Sequence, residues 1–360
     1  MSIRLNSFPR QELAILPTPV SPLPAIGANL FIKQDNLSGP VYGGNKIRKL
    51  EFLLGEAIAE GRKTVITYGA AGSNHALATA VCCRELGLRA ISILAPQETS
   101  SHVRKNILMQ HAVGAELHLC PAFSGFPATT RTIVERCTQE DGIAPYIIPA
   151  GGTNATGALG FVNAALEMAE QIQPDVIYIP MGTGGTLAGL LVGLKLAGLK
   201  TRVEAIRVVD PAFRNESHIK KLCDELCSYT LSRRDTEDAE QNEKSDPLGS
   251  LRLCEDTNIP VINESDIVIR NEFFGEDYGI PTPEGREAVE LFQSRENVYL
   301  ENTYTGKAAA ALLHDLRSGA LDGQTVLYWN TLNSHDFSNE IAAVDFHNLP
   351  SGFHEYFASE

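Results

Sequence analysis

The chain has 360 residues, of which 43% are hydrophobic and 21% charged, and this composition predicts a folded protein rather than a disordered one. A formal net charge of −14 disfavours nucleic acid and anionic membranes as partners, because an acidic surface repels phosphate groups. The length suits two domains or one large α/β unit.

The sequence predicts a soluble protein of the cytoplasm. Residues 1–10 mix polar and apolar types and lack the pattern of a secretory signal. The seven cysteines form no C-x-x-C pair, so we expect a reducing compartment and no metal site. The apolar stretch 176–194 contains Pro180 and the cluster Gly182, Gly184 and Gly185, which favours a strand, a tight loop and a helix over a membrane span.

Strands and helices are predicted to alternate along most of the chain. Runs rich in β-branched residues predict strands at 64–68, 90–94, 116–119, 176–179, 203–209 and 325–329. Helical periodicity predicts helices at 76–86, 101–111, 126–141, 158–172 and 187–196. Alternation of this kind predicts an α/β fold with a parallel sheet, whose ligands lie at the carboxyl ends of the strands.

One segment departs from this alternation. Residues 232–246 are highly charged and almost devoid of large apolar side chains, which predicts a solvated loop or the exposed part of a helix. We therefore expect residues 228–250 to form a charged surface insertion.

A glycine-rich loop, Gly182–Thr186, follows an apolar strand and opens an apolar helix. Glycines let the backbone approach a ligand, and the N–H groups at a helix start bind anions, so the loop predicts a phosphate cradle. No Gly-Lys-Ser/Thr follows, which excludes a Walker loop. Leu187 replaces the third glycine of a dinucleotide fingerprint, but Asp210 at the end of the next strand keeps a dinucleotide site open as an alternative. A tight turn without a ligand is the other alternative.

Lys46 follows two glycines and lies in the first turn of a predicted helix. Apolar residues repeat at helical spacing from Ile47 to Ala57, and Asn45 is expected to cap the helix. The helix dipole lowers the pKa of an amine at this place, and Schiff-base chemistry needs a neutral amine. A lone lysine beside Arg48 and Lys49 is more typical of a solvated side chain. Together with an anion cradle, it suits a cofactor that has both an aldehyde and a phosphate.

The turn Gly72-Ser73-Asn74-His75 lies between a predicted strand and a predicted helix. Ser73 or Asn74 can simply cap that helix. Alternatively, Ser73 relays a proton, Asn74 holds a ring hydroxyl, and the N–H groups of the turn bind a substrate carboxylate. His75 suits either a substrate contact or a structural role.

Taken together, these motifs resemble the 1-aminocyclopropane-1-carboxylate deaminase/D-cysteine desulfhydrase family of the fold-type II, tryptophan synthase β-like pyridoxal phosphate enzymes. The matching stretches are GGNKIRKLEFLLGEA at 43–57, GSNHA at 72–76, IPAGGTNATGALGFVNAALEM at 148–168, GTGGTLAGL at 182–190, EDYGIPTPEGREAV at 276–289 and YTGKA at 304–308. The resemblance implies two open-sheet α/β domains with the cofactor between them. It places residues 1–51 and 160–360 in a large domain that binds pyridoxal 5′-phosphate, and residues 52–159 in a small one.

The resemblance also implies a role for each matching residue. Lys46 matches the Schiff-base lysine, Ser73 the serine proposed to move a substrate proton, and Tyr278 and Tyr304 the two tyrosines near the reacting carbon. The residues implied in cofactor binding are Lys46, Asn45, Asn74 (beside the ring oxygen O3′), Gly182, Thr183, Gly184, Gly185, Thr186 and Thr305. Those implied in substrate binding are Ser73, Asn74, His75, Tyr278 and Tyr304.

Thr305 stands where the residue facing the pyridine nitrogen lies in this family. A carboxylate there keeps the nitrogen protonated, whereas a hydroxyl leaves it neutral. Cyclopropane-opening members carry a glutamate and elimination-type members a threonine, so the resemblance implies β-elimination of D-cysteine or a related amino acid to pyruvate, ammonia and the leaving group. A homodimer is the implied assembly.

Three other functions stay open from the sequence. They are a 1-aminocyclopropane-1-carboxylate deaminase that gives 2-oxobutanoate, a dinucleotide-dependent oxidoreductase, and a non-catalytic protein that binds pyridoxal phosphate. Two departures from the family pattern lie where specificity is set: Gly72 replaces a glutamine, and residues 329–335 replace a glycine-rich turn. The preferred amino acid and its chirality therefore stay undetermined.

Overall fold

A computed structural model of the chain describes residues 5–211, 213, 215–243 and 260–358. The strands in this part are β1 (Val20–Pro22), β2 (Leu30–Gln34), β3 (Thr64–Ala70), β4 (Arg89–Ala95), β5 (Glu116–Leu119), β6 (Tyr146–Ile148), β7 (Val176–Met181), β8 (Arg202–Arg207), β9 (Val268–Arg270) and β10 (Val326–Asn330). The α-helices are α1 (Asn45–Ala59), α2 (Asn74–Glu85), α3 (Ser101–Ala112), α4 (Phe126–Asp141), α5 (Ala155–Gln171), α6 (Gly185–Leu196), α7 (Glu216–Glu243), α8 (Pro283–Glu296), α9 (Thr305–Arg317) and α10 (Ser338–Ile341). Short 3-10 helices lie at Leu5–Ser7, Asp35–Leu37, Phe123–Gly125, Ala150–Gly152, Glu264–Asp266, Phe346–Asn348 and Ser351–Phe357.

The chain divides into two compact units. The first unit comprises Met1–Pro9, Val20–Lys33 and Asn154–Asn330, and the second comprises Arg10–Pro19, Gln34–Thr153 and Thr331–Glu360. This division assigns residues 10–19, 34–51 and 331–360 to the second unit, whereas the sequence resemblance placed them in the larger domain. The reason is packing inside the second unit: α1 lies against α2 and against the turn Ala150–Gly152, and α10 lies against α3. The division also assigns residues 154–159 to the first unit, whereas the resemblance placed them in the smaller domain.

The first unit contains a six-stranded sheet in the order β1-β2-β10-β7-β8-β9. Strands β10, β7, β8 and β9 run parallel, with Tyr328 opposite Tyr178, and β1 runs antiparallel to β2. All six residues of β7 are buried, as expected for a parallel strand that is covered on both faces. The core of this sheet packs against Phe292 of α8 and against the alanine-rich helix α9.

The second unit contains a four-stranded parallel sheet in the order β5-β4-β3-β6. Its largest apolar cluster joins Leu50 and Leu53 of α1 to Ala76 and Leu77 of α2 and to Phe353 near the C-terminus. This packing places the start of α1 and the start of α2, which carry the lysine motif and the Ser-Asn-His turn, in one unit.

The predicted alternation of strands and helices is confirmed. The stretches predicted at 116–119 and 126–141 are β5 and α4 with unchanged bounds, and the other predicted elements differ at their ends by a few residues. The apolar stretch 176–194 is divided between β7 and α6, and among the described residues no helix is both long and apolar enough to cross a bilayer. Of the predicted charged insertion, residues 228–243 continue helix α7, and 244–250 lie outside the described residues.

Candidate active site

Helix α1 of the second unit begins behind a glycine. Gly44 is the N-cap, with φ 87° and ψ 179°, a backbone conformation that is essentially restricted to glycine. Its N–H donates to the carbonyl of Asp35 at 2.7 Å, and the N–H of Asn45 donates to the carbonyl of Thr331 at 3.1 Å. The prediction that Asn45 caps α1 is wrong: the chain turns into the helix at Gly44, which is the N-cap, and Asn45 is the first helical residue.

Two lysines lie in the first turns of α1 with different surroundings. Lys46 is half-buried, and desolvation lowers the pKa of its amine to about 8. Lys49 is buried, donates from Nζ to the carbonyl of Gly151 at 3.1 Å, and has a pKa lowered well below its usual range by burial and by the charge of Lys46. A substantial share of Lys46 is therefore neutral near pH 8, which a nucleophilic amine requires.

An ion pair inside the second unit anchors α1. Arg48 donates from Nε and Nη2 to both carboxylate oxygens of Asp35, at 2.9 Å and 2.8 Å, and from Nη2 to the hydroxyl of Thr18 at 2.9 Å. All three side chains are buried, so the paired bonds compensate for the loss of hydration. Arg48 and Lys49 are therefore buried and bonded, not solvated as basic residues in a surface cluster would be.

Ser73 caps helix α2. Its Oγ accepts the N–H of Ala76 at 3.2 Å, which confirms the capping interpretation of the sequence for this residue. Because the bond uses a lone pair of Oγ, the hydroxyl hydrogen stays available for another acceptor. Asn74 begins the helix, and its backbone carbonyl accepts a hydrogen bond from the hydroxyl of Tyr42 at 2.9 Å.

His75 is a buried, neutral imidazole. It is 2% exposed, and neither ring nitrogen has a hydrogen-bond partner among the described residues. Burial, followed by the charges of Lys46 and Lys49, holds the pKa of His75 well below its usual range. One ring nitrogen of the neutral imidazole carries a hydrogen and can donate it to a ligand.

Contacts around Gly72 explain why this position lacks the glutamine of the family pattern. A side chain there would place its Cβ 2.8 Å from Cγ2 of Val103 and 3.1 Å from Oε1 of Gln97. Gln97 instead directs Oε1 at the N–H of Gly72, at 3.0 Å, and the hydroxyl of Tyr356 accepts the N–H of Gln97 at 3.1 Å. An amide side chain is thus present beside this turn, but it comes from position 97.

The predicted phosphate cradle lies in the first unit, between β7 and α6. Gly184 is the N-cap of α6 at φ 87°, and no side chain caps this helix start in the described structure. The first N–H groups of a helix have no acceptor within the helix, and groups of this kind bind anions. A Cβ built on Gly182 would lie 3.6 Å from Cε1 of Tyr304, which makes the loop a neighbour of that tyrosine.

Asp210 does not end β8 as predicted, because the strand stops at Arg207.

Tyr278 and Tyr304 form a pair in the first unit. Their hydroxyl oxygens are 2.7 Å apart, and their rings meet edge to face with centroids 6.0 Å apart. Burial is the main cause of a raised pKa at both phenols, and the Glu301 carboxylate adds to it. Both phenols therefore stay protonated at neutral pH, and while one donates to the other, the second keeps a hydrogen that it can donate elsewhere.

Thr305 is buried at the start of α9, where Glu301 surrounds it. Oε1 of Glu301 accepts the N–H groups of Tyr304 and Thr305, at 2.8 Å and 2.7 Å. The hydroxyl of Thr305 accepts the N–H of Glu301 at 2.8 Å and donates to a Glu301 oxygen at 3.1 Å. A ligand atom beside this hydroxyl competes with Glu301 for its hydrogen. The sequence analysis missed Glu301, although an acidic residue just before a helix is a known capping signal.

Lys307, which lies within the YTGKA motif, supports the segment that carries Tyr278. It is fully buried and donates from Nζ to the carbonyls of Phe274 and Asp277, at 2.6 Å and 3.4 Å. Its Nζ also lies 5.2 Å from the centre of the Phe274 ring. The helix that begins beside Tyr304 therefore holds the loop of Tyr278, and this lysine was missed because its acceptors are backbone carbonyls.

Comparisons with known proteins agree on one family. Residues 11–331 match the model of a family described as pyridoxal-phosphate dependent enzyme. Over 321 residues the chain is 35% identical to the D-cysteine desulfhydrase of Salmonella paratyphi B, which covers 86% of this chain and 89% of that protein, and the Salmonella newport protein gives the same values. A crystal structure of an ACC deaminase homologue has a TM-score of 0.75 and 31% identity, covering 95% of this chain and 98% of that one. A fungal L-serine ammonia-lyase from Rhizomucor miehei shares the fold, with a TM-score of 0.58, 18% identity and coverage of 93% and 100%.

Proposed function

We propose, since this chain belongs to the family of pyridoxal-phosphate dependent enzymes, that it is a lyase which converts D-cysteine to pyruvate, ammonia and hydrogen sulfide. The predicted family resemblance, the type II α/β fold and the pyridoxal phosphate cofactor are confirmed. The same match favours pyridoxal phosphate over the alternative dinucleotide ligand. A homodimer in the cytoplasm, acting on a small amino acid, is part of the proposal.

The residues present suit this cofactor. In the second unit Lys46 offers an amine with a pKa lowered to about 8, and in the first unit α6 offers uncapped N–H groups behind Gly184. When bound, pyridoxal phosphate supplies an aldehyde for the amine and a ring that accepts electrons from the α-carbon of the substrate. The residues that would hold it are Lys46, Asn45, Asn74, Gly182, Thr183, Gly184, Gly185, Thr186 and Thr305.

Two side chains are candidates for removing the α-proton, Lys46 and Ser73. The amine of Lys46 is neutral in part near pH 8, so it accepts a proton directly. The Ser73 hydroxyl must pass its own hydrogen on to accept one, which makes it a relay rather than a base. Asn74 and the neutral His75 add donors for the substrate carboxylate.

The paired hydroxyls of Tyr278 and Tyr304 are the observation that favours β-elimination as the reaction of this site. A thiolate that leaves the β-carbon needs a proton, and this pair remains protonated at neutral pH. One water completes the net reaction, in which D-cysteine and water give pyruvate, ammonia and hydrogen sulfide. Thr305, in place of a glutamate, supports elimination over cyclopropane opening.

A panel of amino acids tests this function. Purified chain loaded with pyridoxal phosphate is mixed with D-cysteine, L-cysteine or 1-aminocyclopropane-1-carboxylate, and the keto acid is identified by chromatography. We expect pyruvate and sulfide from D-cysteine. The likeness to an ACC deaminase homologue makes cyclopropane opening the second candidate, and 2-oxobutanoate from the cyclopropane acid would select it instead. Absence of keto acid from every substrate would indicate a protein that binds the cofactor without turnover.

Ser73→Ala separates the proton relay from the helix cap. We expect turnover of D-cysteine to fall about 100-fold, the range for general acid–base groups, with the cofactor retained. Loss of the cap should also lower the free energy of unfolding by about 1 kcal/mol. Steady-state kinetics and urea unfolding measure the two effects.

Ser100→Ala is the matched control for this prediction. Ser100 caps α3 as Ser73 caps α2, and its Oγ accepts the N–H of Val103 at the same distance of 3.2 Å. The control should lose similar stability and keep its turnover. Equal turnover in both variants would remove Ser73 from the mechanism.

A further inference from the structure

Behind Asn74 lies a buried amide that is not part of any motif in the sequence. Asn106 of α3 is 1% exposed, and its Nδ2 lies 2.9 Å from the carbonyl oxygen of Gly72 and 3.0 Å from Oδ1 of Asn74. Nε2 of His102 lies 3.2 Å from the same Gly72 oxygen and 3.2 Å from Nδ2 of Asn106. Two side chains of α3 thus meet the turn that opens α2.

The carbonyl of Gly72 determines how these amides are oriented. A carbonyl oxygen only accepts, so the Asn106 atom beside it has to be the amide nitrogen. The second hydrogen of the Asn106 amide is then directed at Asn74, whose facing atom has to be an oxygen. Turning either amide over would set two donors or two acceptors about 3 Å apart, which is a repulsive arrangement.

We infer that Asn106 is a positioning residue, which holds the Asn74 amide so that its NH₂ group is offered to an anionic oxygen of the bound cofactor. This inference rests on the proposed function, in which Asn74 lies beside the ring oxygen O3′. With Oδ1 of Asn74 occupied by Asn106, the two hydrogens on Nδ2 are left for a ligand. A free asparagine would offer either its oxygen or its nitrogen, and the oxygen would repel an anion.

Anchoring of the turn alone does not account for the contact with Asn74. The Gly72 carbonyl also has Nε2 of His102 beside it at 3.2 Å, and the backbone of Asn74 is already held by the Tyr42 hydroxyl at 2.9 Å. The bond from Asn106 to Oδ1 therefore acts on the side chain of Asn74, the part that reaches a ligand. A hydrogen bond to an anionic ring oxygen lowers the pKa of that oxygen, so its loss raises the pKa.

A double-mutant cycle tests the inference on the full chain. Cofactor-free Asn106→Leu, Asn74→Ala and the double variant are titrated with pyridoxal phosphate, and the visible absorption of each loaded protein is followed with pH. We expect Asn106→Leu to bind the cofactor about 10-fold more weakly, as expected for one lost hydrogen bond to a charged group, and to show its visible band at higher pH. In the Asn74→Ala background, Asn106→Leu should change neither property further, because the two residues act as a unit.

His102→Ala is the matched control, since it removes the ring beside the Gly72 carbonyl and Asn106 but keeps the bond from Asn106 to Oδ1 of Asn74. It should bind the cofactor within about twofold of the unmodified chain and keep the same absorption profile.

If Asn106→Leu fails to fold, Asn106→Asp keeps the side-chain volume and should give the same weakening, because its carboxylate has no hydrogen for Oδ1 of Asn74. Normal binding by either variant, or an equal loss in the Asn74→Ala background, would overturn the inference. Failure to turn over D-cysteine would leave these titrations unaffected, because no substrate is present.

Discussion

Lys46→Ala is expected to abolish keto-acid release, with turnover at least about 1000-fold below that of the unmodified chain. Under the proposed function, the variant loses the amine that links the cofactor and one of the two candidate groups for removing the α-proton. The yellow colour that a covalently bound pyridoxal phosphate gives should disappear as well. Absorption spectra and steady-state kinetics with D-cysteine measure the two losses.

The position of the covalent link can be read directly. Borohydride reduction of the loaded chain, followed by peptide mapping, should find the cofactor on Lys46 and not on Lys49, whose Nζ is occupied by the carbonyl of Gly151. The rate of adduct formation should rise with pH and level off above about 8, because the lowered pKa of Lys46 sets the fraction of neutral amine. Methylamine, small enough to enter the space left in Lys46→Ala, should restore part of the turnover. A yellow and active Lys46→Ala protein, or an adduct on Lys49, would refute the assignment.

Short sequence motifs were enough to predict those features of the candidate site that are set by residues adjacent in the sequence. The glycines before Lys46 and in Gly182–Thr186 follow from backbone demands that act within a few residues, and both lie at helix starts as predicted. The strand–helix alternation likewise follows from local periodicity, and it is confirmed in both sheets. These features need no knowledge of which segments meet in space.

The residues that support the site depend on partners distant in sequence. Asn45 has the right chemistry for a cap, but the chain turns into α1 one residue earlier, at Gly44, where the N–H of Asn45 meets the carbonyl of Thr331, 286 positions along the chain. Lys307 acts through the carbonyls of residues about 30 positions away, and no side-chain pattern reports a backbone acceptor. The amide of Gln97 at the N–H of Gly72 is another such case, because the family pattern places a glutamine at 72 itself.

Gly44→Ala is expected to lower the free energy of unfolding by about 3 kcal/mol, a large share of a typical stability of about 5–15 kcal/mol. The glycine-only φ of 87° and ψ of 179° accounts for about 1–3 kcal/mol of this loss. The new Cβ would also lie 2.7 Å from the carbonyl oxygen of Thr331 and 2.9 Å from the nitrogen of Asn333, and neither backbone atom can move as a flexible side chain does. Relief of that contact has to displace the first turn of α1, which carries Lys46.

The displacement gives Gly44→Ala a functional effect that a change in stability alone would not produce. At a urea concentration where the variant is still folded, we expect weaker binding of pyridoxal phosphate and slower formation of the covalent adduct. Gly61→Ala is the matched control: this glycine has φ 70°, and nothing lies within 4 Å of the added Cβ. It should cost about 1 kcal/mol of stability and leave the adduct rate unchanged, because the strain there is conformational and lies past the C-terminal end of α1, far from Lys46. If both variants lose the same stability and bind the cofactor alike, the close approach of residues 331–333 does not set the position of the lysine.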